Sequence, residues 1–149
     1  MTADMRTLAE LLIPVDPHTV TRALDWLERI GHQHHWPSRT LYKLRLCLDE
    51  ALTNTVMHGF PSGKAAQGEP SVELRLHEEG RDITLDILDN GRPFDPTAAE
   101  SRSLDESLEE AMLGGHGLRL RRHYLKDIRY HRRGTWNHLE LVAEIDTAS

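Results

Sequence analysis

Glu50, Asn54 and His58 stand four residues apart in LDEALTNTVMHGF, residues 48–60. In a helix, side chains four apart lie almost above one another, so the three would form one row. A carboxylate and a carboxamide in such a row offer oxygen ligands to a hard cation such as magnesium, and the carboxylate can act as a general base. The same residues also suit an ordinary solvated helix face. His58 sits next to the helix end, where an imidazole can cap the carboxyl-terminal dipole, and that is the reading preferred for it.

DNGRPFDP (residues 89–96) is the second group that could do chemistry. Asp89 shares the parity of Ile83, Leu85 and Ile87, so a strand would aim its carboxylate at the core. A buried carboxylate has to be paired or to meet a ligand, because burying it unsatisfied is costly. It can accept a hydrogen bond from an exocyclic amine such as adenine's, and Gly91 would let a flat ring come close. Asp-Asn-Gly is also good turn chemistry. The third group is GGHGL, residues 114–118. Its glycines allow unusual backbone angles and let amides point at an oxyanion, with a helix N-terminus behind them, so phosphate is the natural guest. It is not a Walker A loop, since no Gly-Lys-Ser/Thr follows, and it lacks the setting of a dinucleotide fingerprint.

These groups need elements to hold them. TLAELLIP (residues 7–14) reads as a first strand ended by proline. Asp16-Pro17 opens a helix carrying Val20, Leu24, Leu27 and Ile30, with Gly31 a weak point near its end. A second helix starts at Pro37-Ser38, carries Leu41, Leu44, Leu48, Leu52 and Val56 as its apolar stripe, and stops at Gly59 with Pro61 beyond. After a loop, SVELRLHEEGRDITLDILDNG alternates as a hairpin with Glu79-Gly80 as its turn. The hydrophobic period is lost from residue 90 to 115. GLRLRRHYL resumes as a helix, and DIRYHRR and TWNHLELVAEI are two last strands. The order β-α-α-β-β-loop-α-β-β predicts an α+β fold, a two-layer α/β sandwich with a mostly antiparallel sheet and helices on one face. No internal repeat or boundary divides it, so one domain is expected over 1–149.

The totals narrow the function. The chain has 149 residues, 38% hydrophobic and 28% charged, which suits a single globular domain. No apolar run approaches the roughly 20 residues of a membrane span, and the N-terminus is a poor signal peptide. The lone Cys47 excludes an internal disulfide, so the expectation is a cytoplasmic protein with no membrane partner. A net charge of -6 argues against direct nucleic-acid binding. The charge is uneven: residues 100–110 are acidic and 119–133 basic. His32, His34 and His35 lack a carboxylate or cysteine companion, so a metal site is not expected there. Trp26, Trp36, Trp136 and Cys47 are read as packing residues.

Taken in order, E-x-x-x-N on a helix, D-x-G after a strand and G-x-G before a helix resemble the N, G1 and G2 boxes of the GHKL ATPases, the superfamily of gyrase, MutL and sensor histidine kinases. The short chain, the form LDEALTNTVMHGF and the ending DIRYHRRGTWNHLELV are similar to its serine-protein kinase/anti-sigma factor branch, of RsbW and SpoIIAB type, over nearly the whole chain. The resemblance implies the Bergerat ATP-binding fold, with ATP and magnesium as cofactors. It implies that Glu50 is the catalytic acid that orients or deprotonates the attacking hydroxyl, and that Asn54 ligates the magnesium. Asp89 would accept from the adenine amino group, with Gly91 beside the ring. Gly115, His116, Gly117 and Leu118 would line the phosphates, and residues 97–114 would form a lid.

The implied activity is a protein serine kinase that phosphorylates a STAS-domain anti-anti-sigma partner and sequesters a sigma factor. A homodimer through the sheet face away from the nucleotide is common in the branch. The lid departs from the pattern. Its sequence is acidic or neutral apart from Arg102, and Met112-Leu113 stand where kinases of the branch often place a base. Arg119 or Arg121 could supply the missing charge. A nucleotide-dependent partner-binding switch with little or no transfer is therefore the alternative. A detached histidine-kinase catalytic domain is a third reading, disfavoured because the chain opens on a strand.

Overall fold

The fold is seen in a computed structural model that describes residues 5–95 and 124–147. Strand β1 (Arg6–Pro14) leads into helices α1 (Thr19–Gln33) and α2 (Ser38–Gly59). After a short turn of 3-10 helix come β2 (Ser71–Glu79), β3 (Asp82–Asp89), β4 (Asp127–Arg133) and β5 (Trp136–Glu144). The five strands form one sheet in the order β1-β2-β3-β5-β4, every neighbouring pair antiparallel. Both helices pack on one face of it, the expected two-layer sandwich. The helix expected from Gly117 and the lid lie outside the described residues.

Period-two alternation explains the packing. Val72, Leu74 and Leu76 of β2, Ile83, Leu85 and Ile87 of β3, and Leu139 and Leu141 of β5 all turn inward and are buried. They meet Ala23, Leu24 and Leu27 of α1 and Leu44, Leu48 and Leu52 of α2. Trp26, Trp36 and Cys47 join this core, as their types suggested, whereas Trp136 lies half-buried on the other face.

Local details differ from the expectation at three points. Helix α1 begins at Thr19, so Pro17 precedes it; the Asp16 carboxylate accepts from the His18 amide at 2.7 Å and shapes the turn into the helix. The hairpin turns at Gly80-Arg81, one residue later than read, because Glu79 still pairs with Asp82 and Gly80 supplies the positive φ of 61°. Gly31 is no weak point. It is buried inside α1, where a Cβ would lie 2.9 Å from Leu41 Cδ1 and 3.0 Å from Trp36 Cε3, so it marks the close approach to Trp36 and α2.

Leu48, fully buried between α2 and the sheet, tests this packing against Tyr42, 60% exposed on the same helix. Leu48→Ala is expected to cost about 2–5 kcal/mol in urea unfolding. Tyr42→Ala should stay within about 0.5 kcal/mol.

Candidate functional site

The Asp89 carboxylate stands at the end of β3 and is only 5% exposed. Its Oδ1 accepts from the Gly91 amide at 2.9 Å and from Asn137 Nδ2, also at 2.9 Å. Burial holds its carboxyl above the ordinary value of 3.8, against the opposing pull of the Asn137 and Gly91 hydrogen bonds and the Arg132 charge. No described residue bonds its second oxygen, which lies beside the helix end. This is where the strand parity placed it.

Asn137 organises the surroundings. It faces Asp89 directly across β3 and β5, and its Nδ2 also donates to the Arg92 carbonyl at 2.8 Å. Its Oδ1 accepts from the Tyr130 hydroxyl and, at 3.4 Å, from the Phe94 amide. Burial raises the Tyr130 phenol above its ordinary value, which keeps it a donor at neutral pH. Arg132 Nη1 donates to the Gly91 carbonyl at 2.8 Å. Asn90 points the other way: its amide group donates to Gln67 and Glu69 carbonyls and its Oδ1 accepts from the Ser71 amide, tying the loop before β2 to the end of β3.

The end of α2 sits on this cluster. The Gly59 carbonyl accepts from the Arg92 amide at 2.8 Å, and the His58 carbonyl from Arg92 Nε at 2.7 Å. A Cβ on Gly91 would lie 2.3 Å from the Gly59 oxygen, so this contact by itself demands glycine. Arg92 caps the helix, which corrects the role expected of His58. The His58 ring instead stacks on Phe94, with centroids 5.3 Å apart.

Asn54 and Glu50 lie back along α2 from that contact, half-buried on one flank. At about 1.5 Å rise per residue they are roughly 7 Å and 13 Å from Gly59 along the axis. No described residue takes a hydrogen bond from Asn54 or gives one to Glu50. The site therefore offers, in order from the Asp89 end, a buried acceptor, then a carboxamide and a carboxylate that have no hydrogen-bond partner among the described residues. Gly115, His116, Gly117 and Leu118 lie outside the described residues. Asn137 and Arg132 were missed in the sequence, although Asn137 has the inward parity of Leu139 and Leu141, a weaker form of the signal that singled out Asp89.

Comparison with known proteins decides the family. A model of the histidine kinase-like ATPase domain matches residues 13–143. The chain belongs to the histidine kinase-like ATPase family. Within that GHKL-type family this domain is related to the RsbW branch. It is 44% identical over 133 residues to the serine/threonine-protein kinase BtrW of Bordetella bronchiseptica, covering 89% of this chain and 91% of that one. It is 26% identical over 131 residues to the serine-protein kinase RsbW of Listeria innocua, covering 85% and 81%. In fold it is similar to the blue-light activated histidine kinase of Erythrobacter litoralis EL346, with a TM-score of 0.56 at 19% identity. That likeness spans 89% of this ATPase domain and 42% of the longer kinase. No helix among the described residues is long and apolar enough to cross a membrane.

The raised Asp89 carboxyl gives this histidine kinase-like domain a testable pH dependence. Between 3.8 and the raised folded value, the native state holds a proton that the unfolded chain has released. Stability from this group is therefore lost as pH rises through that window. Asp89→Asn keeps an acceptor oxygen but has no proton to release. The stability of the variant relative to the wild type, from urea midpoints, is expected to climb as the pH rises above the ordinary value of 3.8 and to level off once the native carboxyl has lost its proton. A constant difference would show that the carboxylate is not desolvated.

Proposed function

We propose that this domain binds ATP with magnesium along α2 and transfers the terminal phosphoryl group to a serine of a STAS-domain anti-anti-sigma partner, while also sequestering a sigma factor. The observation that carries the reading is the order along α2. A buried acceptor suited to an amino-purine lies at one end, and oxygen ligands without a partner among the described residues lie at increasing distance from it. The relation to proteins named as serine kinases supports the same direction.

The residues fit the cofactors. Asp89 has a second oxygen, unbonded among the described residues, for an exocyclic amine, and Asn137 and Gly91 fix the carboxylate in place. Asn54 presents a carboxamide oxygen of the kind magnesium takes. Magnesium held there would neutralise charge between the phosphates. Glu50 would accept the proton of the serine hydroxyl as that oxygen bonds to phosphorus, and the bond to the departing nucleoside diphosphate breaks. Gly115, His116, Gly117 and Leu118 would present backbone amides to the phosphates. Most of the work is then positioning and charge stabilisation, which is what phosphoryl transfer asks of a protein.

The alternative, a partner-binding switch that turns over little, draws support from the acidic sequence of residues 97–114, where Arg102 is the single base. Incubation with magnesium-ATP and the STAS partner separates the two. Glu50→Gln should lower phosphoserine formation by about 100-fold or more while nucleotide affinity changes little. Asn54→Ala should abolish magnesium-dependent ATP binding. Phosphoserine formed undiminished by Glu50→Gln would overturn the assignment. Tight binding with wild-type transfer at background would favour the switch.

A further inference from the structure

The sheet face away from the helices carries a second cluster that the nucleotide reading does not use. Asp86 of β3 and Glu140 of β5 are direct cross-strand partners, and both point to this face. Two carboxylates opposite each other destabilise a sheet unless a cation lies between them. Asp86 is also 5% exposed, which makes an uncompensated charge more costly. The arginines of the flanking strands, Arg75 opposite Asp86 and Arg129 opposite Glu140, are turned away. Arg75 pairs with Glu73 at 2.9 Å and Arg129 with Asp127 at 2.8 Å, each within its own strand.

Imidazoles fill the gap instead. His138 Nε2 lies 2.9 Å from Asp86 Oδ1, and His77 Nε2 lies 2.8 Å from Asp86 Oδ2. His131 Nε2 is 3.7 Å from Glu140 Oε1 on the outer side. One ligand atom each from Asp86, His138 and Glu140 lies within 4.8 Å of the others. Tetrahedral ligands at about 2.0–2.2 Å from zinc are separated by roughly 3.3 Å, so small side-chain rotations close this set around one ion.

We propose that Asp86, His138 and Glu140 form a zinc-class divalent metal site on the sheet face away from α1 and α2. The ligand types are those of zinc, one imidazole nitrogen and two carboxylate oxygens, with a fourth position left for water. A divalent ion balances the two carboxylate charges. His77 acts as a positioning residue: it holds the far oxygen of Asp86, in the manner of groups that orient a ligating carboxylate. The site is separate from the Asp89 end, because Asp86 has the opposite strand parity to Asp89.

Zinc chloride titrated into the full chain, followed by calorimetry without nucleotide or magnesium, tests this. One equivalent should bind, and cobalt in its place should give visible absorption bands of a four- or five-coordinate ion. His138→Gln and Glu140→Gln should each weaken zinc binding by about tenfold or more, and His77→Gln by less. Circular dichroism checks the fold of each variant, and the half-buried Glu140 keeps the test decisive if His138→Gln unfolds. A His32→Ala/His34→Ala/His35→Ala variant should bind as the wild type does. Absence of zinc binding to the wild type below about 100 µM, where binding would be weaker than about 5.5 kcal/mol, would overturn the site. So would affinity unchanged in Glu140→Gln.

Discussion

Burying the Asp89 carboxylate beneath the end of α2 obliges everything around it to pair. One oxygen is held by the Gly91 amide and by Asn137, which comes from the strand next door. Asn137 must then be satisfied in turn, and Tyr130, Arg92 and Phe94 take up its remaining capacity. Arg92, placed by this arrangement, caps the last carbonyls of α2. The chain of contacts thus runs from one acid to a helix terminus. Removing a member leaves a buried polar group unpaired, at about 1–3 kcal/mol each, so the network behaves as a unit.

The glycine pair at this junction makes the coupling rigid. The Gly59 carbonyl and the Gly91 backbone meet so closely that a side chain on Gly91 has no room. A helix seated this tightly on a strand end cannot rotate without breaking the Arg92 cap. Asn54 and Glu50 therefore inherit their positions from contacts one to three turns away. Their own side chains are left without described partners, which is the condition of groups kept for a ligand.

Much of this was legible because strand periodicity is a strict constraint. An acid in register with Ile83, Leu85 and Ile87 has to point inward, and Asp89 does. The helices were equally plain from their apolar stripes and from Gly59-Phe60-Pro61. Asn137 escaped because its neighbours in TWNHLELV look like an ordinary amphipathic strand, and an inward asparagine is less conspicuous than an inward acid. The fate of His58 was not legible at all. Whether an imidazole caps its helix or stacks on a ring depends on where Phe94 arrives, and that is set by tertiary contacts. Gly31 was misread for a similar reason, since its space is claimed by Leu41 and Trp36.

The sheet also separates two kinds of polar chemistry by parity alone. Inward positions of β3 and β5 end in Asp89 and Asn137, both buried under the helix layer. Outward positions of the same strands carry Asp86, His138 and Glu140, on the face away from the described helices α1 and α2. A shift of one residue in β3 would turn Asp86 into the apolar core and Asp89 out of it, and the same shift in β5 would turn His138 and Glu140 in and Asn137 out. The register is therefore held from both sides. The apolar face requires it for packing, and the outer cluster requires it for charge pairing. That double demand explains how a helix layer of only two described elements, α1 and α2, can rest on a sheet whose interior ends in a carboxylate.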